Sequence, residues 1–214
     1  NLKADPPSVA VMPFVCLSDE KDLSYMAQGL SGDLIARLSG RVWHIVAGRK
    51  EDADLAPAEI GQRLGVRYLL SGSIQRGGDR IRVRCHITDT ASGQEISAQR
   101  YERSGEDLLD IQDQIAVSID FDLFKSIMAG ELSRLRDVPD DELDAWGLCA
   151  RSDMEIVDRA TRDRVIALLE LAIERDPSFA YAHSLLAWKI TFIVFHQLTR
   201  DVERVRQKAG TGCV

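Results

Sequence analysis

The sequence predicts an α/β (α+β) fold, in which a mixed five-stranded sheet with helices packed on it is followed by an all-α helical-hairpin segment. Three observations support this prediction. Apolar and polar residues alternate with a period of two from Val66 to Arg103, as in half-buried strands. Upstream, short apolar runs alternate with runs of helical period, and beyond Asp141 only the helical period remains.

The stretch from Val66 to Arg103 predicts three antiparallel strands. Gly77-Gly78-Asp79 supplies residues that tolerate positive φ at the first turn, and Asp89 to Gly93 supplies the second turn. The predicted apolar face comprises Val66, Tyr68, Leu70, Ile74, Ile81, Val83, Cys85 and Ile87. Helices must cover this face, so we expect the rest of the domain to pack on it.

Upstream of these strands the order is strand, helix, strand, helix. The run from Ser8 to Phe14 predicts a buried strand, followed by a loop from Val15 to Lys21. A helix is predicted from about Leu23, with Asp22 or Ser24 as its cap and Gly40 just past its end. Val42 to Ala47 predicts a strand, and Pro57 to Leu64 predicts a helix that Gly65 ends. We expect both helices on one face of the sheet.

A long helix is predicted to close this domain. Ser104 to Asp107 has the pattern of a capping box, and apolar residues recur at helical spacing from Leu108 to Ile127. Acidic residues and Pro139 break the pattern between Asp137 and Asp141. The predicted domains are therefore residues 1–136 and residues 137–214.

The carboxyl-terminal domain is predicted to contain three helices and a short fourth one near Val202 and Val205. The spacing of Ala172, Pro177 and the following Ala-rich helix start is typical of tetratricopeptide repeats, although two units are fewer than an independent array needs. The aromatic residues of this part are Trp146, Trp188, Phe192 and Phe195. Their spacing favours a place in the core, and the alternative is a concave surface that grips a partner peptide.

Composition limits the classes of function. The 214 residues carry a net charge of -7, which argues against direct nucleic-acid binding and against attraction to anionic membranes. No apolar run approaches the roughly 20 residues of a membrane helix. The start without Met suggests a piece of a longer polypeptide. Cys16, Cys85, Cys149 and Cys213 show no metal or redox spacing, which favours reduced thiols and a cytoplasmic location, or a periplasmic one if a signal segment precedes Asn1.

The most prominent local charge feature is a row of arginines. Alternation places Arg80, Arg82 and Arg84 on one strand face, and these three residues together with Arg67 are the candidates for ligand or partner binding. Guanidinium groups suit phosphate or carboxylate partners. The alternative is a solvated face whose arginines pair with the surplus of acidic residues.

No catalytic, cofactor-binding or metal-binding residue is predicted. The sequence lacks a nucleophile elbow, a zinc-protease motif and a kinase motif. The two glycines of Gly29-Leu30-Ser31-Gly32-Asp33 invite comparison with a phosphate loop, but the helical period already includes this segment.

Several segments together resemble the TolB amino-terminal-like domain, also called FlgO-like, in the form that precedes tetratricopeptide helices. They are Pro7 to Phe14, Leu17-Ser18, Gly29 to Ile35, Leu64 to Ser73, Asp89 to Gly93, Arg100-Tyr101 and Ile111-Gln112-Asp113. The resemblance covers about Pro7 to Ile127. It implies a non-catalytic sensory or interaction module downstream of a class III nucleotide cyclase domain or a winged-helix domain. Cys16, Met26 and Ser97 depart from the residues usual in that family.

We therefore expect a regulatory and protein-interaction module of a bacterial signalling protein, a cyclase or a transcriptional regulator. Its partner would be another protein or an effector domain in the same polypeptide, with self-association and an unknown small ligand left open. The alternatives are an enzyme of unrecognised type that uses the Arg80, Arg82 and Arg84 face, and an envelope or flagellar assembly factor.

Overall fold

The computed structural model describes residues 6–105, 107–155 and 160–210, with side chains up to residue 195. The chain divides into two compact units, Pro6–Glu131 and the part from Leu132 onward. The first unit contains β1 (Ser8–Val11), β2 (Val15–Cys16), α1 (Lys21–Ser39), β3 (His44–Ala47), α2 (Pro57–Leu64), β4 (Tyr68–Gly77), β5 (Arg80–Asp89), β6 (Glu95–Ser104) and most of α3 (Leu108–Leu135). The second contains α4 (Ala145–Met154), α5 (Arg162–Arg175) and α6 (Ala180–Gly210).

The strands form one mixed sheet in the order β3-β1-β4-β5-β6, with β2 beside β4. β1 pairs in parallel with β3 and β4, and β4, β5 and β6 are antiparallel neighbours. The predicted mixed sheet with helices packed on it is confirmed. The additional strand, β2, forms in the predicted loop because Val15 and Cys16 pair in parallel with β4. Directly after β2, the Leu17 amide donates a 2.8 Å hydrogen bond to the Ile74 carbonyl.

The expectation that α1 and α2 share one face of the sheet is wrong. Tyr68 points toward α3, where its hydroxyl donates to Glu131, and α1 contacts α3 on that face through the hydrogen bond from Gln112 to Asp33. Leu69 points to the opposite face and clusters with Ile60 of α2. β1 and β4 lie in the interior of the sheet, and β1 and the first residues of β4 carry apolar side chains on both faces. Each face therefore requires a helix to cover it.

The ends of α2 agree with the sequence-based prediction, whereas the start of α1 differs from it. α2 ends at Gly65, whose φ of 66° is the left-handed conformation that glycine adopts without strain. α1 begins at Lys21, and neither Asp22 nor Ser24 caps it; the Ser24 hydroxyl instead donates to the Glu20 carbonyl. At the start of α3, the Asp107 carboxylate accepts from the Leu109 amide at 2.9 Å, whereas Glu106 lies outside the described residues.

The second unit consists of consecutive helical hairpins, as predicted. The contacts of α4 with α5 and of α5 with α6 bury Leu148, Cys149, Val165, Leu169, Ala172 and Ala182. The predicted fourth helix near Val202 and Val205 is wrong, because α6 continues unbroken to Gly210. No Gly or Pro interrupts the sequence between Ile193 and Gly210, so nothing there favours a helix end.

The prediction that the four aromatic residues belong to the core holds only for Trp146, which is 3% exposed. Trp188 and Phe195 are 55% and 64% exposed, and Trp188 stacks on Phe192 with ring centroids 5.6 Å apart. The buried side of α6 instead carries Lys189, whose ammonium lies 3.7 Å from the Asp153 carboxylate. The buried side of α6 therefore includes an ion pair beside its apolar side chains.

Candidate functional site

The candidate site is the exposed face of β5 and β6, which we call the arginine face and define by Arg80, Arg82, Arg84 and Arg100. Along β5 the arginines alternate with Ile81, Val83 and Cys85, which are at most 4% exposed and point toward the helices. The period of two therefore places the three predicted β5 arginines together on the opposite face.

Strand register adds β6 residues to this face. Arg84 pairs with Arg100, and Arg82 pairs with Glu102. The Arg82 Nε donates a 2.7 Å hydrogen bond to Glu102, and the Arg100 Nε lies 3.6 Å from the same carboxylate. The hydrogen bond from Arg82 lowers the pKa of Glu102, and the neighbouring arginine charges lower it further. One carboxylate thus serves two guanidinium groups.

The arginine face carries a surplus of positive charge. Within the part of the chain that the structure describes, Glu102 is the acid that pairs with its arginines, and neither Arg80 nor Arg84 has an ion-pair partner. On the other side of β5, Ser73 of β4 lies opposite Arg84 and adds a hydroxyl. Because the whole chain has a net charge of -7, this face differs in sign from the protein's overall charge.

Arg67, the fourth predicted site residue, is not part of this face. It immediately precedes β4, where its guanidinium binds Asp89 at 2.9 Å and lies 3.6 Å from the buried Glu131. The neighbouring Tyr68 hydroxyl donates a 2.5 Å hydrogen bond to Glu131. Burial, and then this hydrogen bond, raise the pKa of Tyr68 above its ordinary value. Arg67 therefore belongs to a network that joins the start of β4 to α3.

The position of Arg100 on the arginine face could be predicted from the sequence only in part. The turn from Asp89 to Gly93 brings β6 back beside β5, but a bulge between Ile87 and Thr88 shifts the pairing by one residue. Counting regularly from the turn would place Arg100 opposite Val83, on the covered face. With the bulge, Tyr101 takes that covered position and Arg100 reaches the arginine face.

Of the two glycines of Gly29 to Asp33, Gly29 has a packing role. Both glycines lie inside α1, and a side chain at Gly29 would collide with the Gln112 amide of α3. That amide donates a 2.6 Å hydrogen bond to Asp33. Gly29 thus permits the close approach of α1 and α3.

The arginine face presents guanidinium groups, which are chemically suited to hold anionic groups. Guanidinium groups stay protonated in proteins and form two parallel hydrogen bonds to carboxylates or phosphates. Among the described residues, no group of three His, Cys, Asp or Glu side chains could hold a metal ion. No helix within the described residues is both long enough and apolar enough to span a membrane.

Comparison with known proteins identifies a sequence relative. The chain is 30% identical over 203 residues to the protein named "Putative adenylate cyclase 3" of Rhizobium meliloti (strain 1021). The aligned region covers 87% of this chain and 34% of that protein, so the chain spans about a third of its relative. No family model matches the sequence.

Solved structures show weaker similarity. The PelC dodecamer protein from Paraburkholderia phytofirmans is 18% identical with a TM-score of 0.43, covering 55% of this chain and 87% of its own. Lipoprotein GNA1162 from Neisseria meningitidis is 16% identical with a TM-score of 0.40, covering 53% of this chain and 95% of its own. TolB from Acinetobacter baumannii is 16% identical with a TM-score of 0.35, covering 54% of this chain and 28% of its own. Similarities at these scores support no assignment of function.

Proposed function

We propose that this chain is a non-catalytic regulatory and protein-interaction module of a bacterial signalling protein, the carboxyl-terminal part of a class III adenylate or guanylate cyclase. The observation that carries the proposal is the 30% identity over 203 residues to a part of the adenylate cyclase relative. The resemblance to the TolB amino-terminal-like domain supports the same reading, because such domains commonly follow a cyclase domain.

In this proposal the two parts of the chain have different roles. Residues 1–136 form the TolB amino-terminal-like domain, which carries the arginine face. Residues 137–214 form a tetratricopeptide-like helical domain. Trp188 and Phe195 are exposed. Their exposure favours the alternative in which they bind a partner peptide over the core packing that their spacing suggested.

The arginine face is the proposed contact with an acidic segment of a partner protein or of the effector domain in the same polypeptide. Arg84 and Arg100 lie opposite each other on β5 and β6. Among the described residues Arg84 has no ion-pair partner, and Arg100 shares Glu102 with Arg82 at the longer distance of 3.6 Å. An acidic side chain between Arg84 and Arg100 would relieve their repulsion and gain two charge-assisted hydrogen bonds. Such a contact regulates by docking and requires no acid or base on this chain.

The test is nucleotide cyclase turnover of the full-length protein that contains this chain. We expect Arg84→Ser/Arg100→Ser to keep basal turnover and to alter its regulation, because the variant removes two positive charges from the proposed contact. Arg49→Ser/Lys50→Ser removes the same charge from two exposed residues at the start of a short 3-10 helix outside the arginine face and is the matched control.

Deletion of these 214 residues from the full-length protein should also leave basal turnover measurable. Complete loss of turnover in a folded deletion protein would contradict a purely regulatory role. Equal effects of the two double variants would show that net charge matters and that the arginine face does not.

A further inference from the structure

The outward side of α3 carries a short stripe that the sheet does not use. Asp113, Val117, Phe121 and Lys125 follow one another at intervals of four residues, so they share one side of the helix. The side chain of Asp113 is 69% exposed, and Val117 and Phe121 are 52% and 67% exposed. Lys125 is also exposed. We call these four residues the α3 stripe.

The α3 stripe is arranged symmetrically. Its two apolar residues are central, an acid lies at one end, and a base lies at the other, over about 18 Å of helix. Rotation by a half turn about an axis midway between Val117 and Phe121 exchanges Asp113 with Lys125. An antiparallel copy of the same helix would therefore meet Val117 with Phe121 and Asp113 with Lys125.

The surroundings of the α3 stripe hold it in place. Phe124, one turn from Phe121, stacks on Trp43 with centroids 5.6 Å apart, and the Arg41 guanidinium lies 4.6 Å above the Phe124 ring. Arg41 also binds both oxygens of Asp120, at 2.9 and 3.0 Å. The surface beside Phe121 is thus ordered before any partner binds, which lowers the entropic cost of association.

We propose that the α3 stripe is a self-association surface at which a second copy of this chain binds, with the two α3 helices antiparallel. Phe121 packs on Val117 of the second copy, and Asp113 forms an ion pair with Lys125 of the second copy at each end. Asp113 is available for this contact because its pairing with Arg37 in the same chain is loose, at 3.7 Å and largely exposed. The contact follows isologous two-fold geometry, in which one patch serves both partners.

Sedimentation equilibrium of the 214-residue chain over a range of concentrations tests the proposal. We expect a reversible dimer and a dissociation constant that Phe121→Glu raises by about tenfold or more, since the charge would lie in the centre of the contact. Leu17→Glu places the same charge on an exposed residue elsewhere, 56% exposed, and should leave the dissociation constant unchanged.

Charge exchange provides the specific readout. Asp113→Lys and Lys125→Asp should each weaken the dimer, because each homodimer would oppose like charges. Mixing the two single variants should restore association, since the heterodimer regains both ion pairs. The double variant Asp113→Lys/Lys125→Asp should also dimerise.

A chain that stays monomeric up to about 0.5 mM, where even a weak interface associates, would overturn the proposal. A dimer that ignores both Phe121→Glu and the charge exchange would overturn it as well, because the contact would then lie elsewhere. If the chain is monomeric and Phe121→Glu lowers its melting temperature, Phe121 makes a contact within one chain, which would also overturn the proposal.

Discussion

Arg84 and Arg100 lie directly opposite each other on β5 and β6, both on the exposed side of the sheet. Adjacent like charges destabilise a strand pair, and among the described residues Glu102 forms ion pairs with Arg82 and Arg100 but not with Arg84. The register therefore brings two like charges together, and we propose that an acidic partner neutralises them. This relationship underlies the proposed role of the arginine face.

The first prediction concerns the stability effect of these charges. Arg84→Thr should leave the free energy of unfolding unchanged or raise it by up to about 1 kcal/mol at low salt, because it removes a repulsion. Arg82→Thr removes an arginine that is paired with Glu102 and should lower stability. Urea unfolding at low and high salt measures both variants. A larger loss for Arg84→Thr than for Arg82→Thr would contradict the assigned pairing.

The second prediction concerns acid. Because its pKa is lowered in the folded state, mainly by the hydrogen bond from Arg82, Glu102 stabilises the fold at pH values above the pKa of the unfolded chain. This stabilisation is lost as the pH falls through the lowered folded value, below the ordinary carboxyl value of about 4.3. The difference in unfolding free energy between wild type and Glu102→Gln should thus shrink from pH 7 to pH 3. A constant difference would show that ionisation of Glu102 does not matter.

The third prediction concerns the buried network at the start of β4. Tyr68→Phe leaves Glu131, 1% exposed, without the hydroxyl that donates to it at 2.5 Å. The expected loss of stability is about 1–3 kcal/mol, measured by urea unfolding. Tyr25→Phe removes a hydroxyl from a side chain that is 69% exposed and should change stability little. Equal effects would mean that the Tyr68 hydroxyl is not needed.

The fourth prediction uses two glycines. A side chain at Gly72 would collide with the Phe14 ring and the Arg84 carbonyl, so Gly72→Ala should destabilise the fold by about 1–3 kcal/mol. Gly32 lies in α1 with nothing within 4 Å of an added Cβ. Gly32→Ala should therefore stabilise the fold by up to about 1 kcal/mol through helix propensity. Thermal melts compare the two, and the same sign for both would contradict the packing of Phe14 on β4.

The sequence predicted the elements whose signals are local. The alternation and turn residues between Val66 and Arg103 marked three strands, and Pro57 with Gly65 marked both ends of α2. The position of α2, on the face of the sheet opposite to α1, could not be predicted from the residue pattern of any single strand. It depends on β1 and β4 being interior neighbours, which only the pairing of Ala10 with Leu69 reveals.

The arginine face was predicted in part for the same reason. Arg80, Arg82 and Arg84 follow from alternation within one strand. Arg100 depends on a bulge that adds one residue to β6, and such a bulge leaves no distinct residue pattern here. Arg67 was grouped with the face by charge, whereas the structure uses it beside Asp89 and Glu131.

The most direct test of the central proposal is binding between this chain and the cyclase domain that we propose for the same polypeptide, prepared separately and measured by isothermal titration calorimetry. We predict an affinity that falls with added salt and is lost in Arg84→Ser/Arg100→Ser, while Arg49→Ser/Lys50→Ser binds like the wild type. Binding that is unaffected by salt and equal for the two double variants would contradict the role of the arginine face.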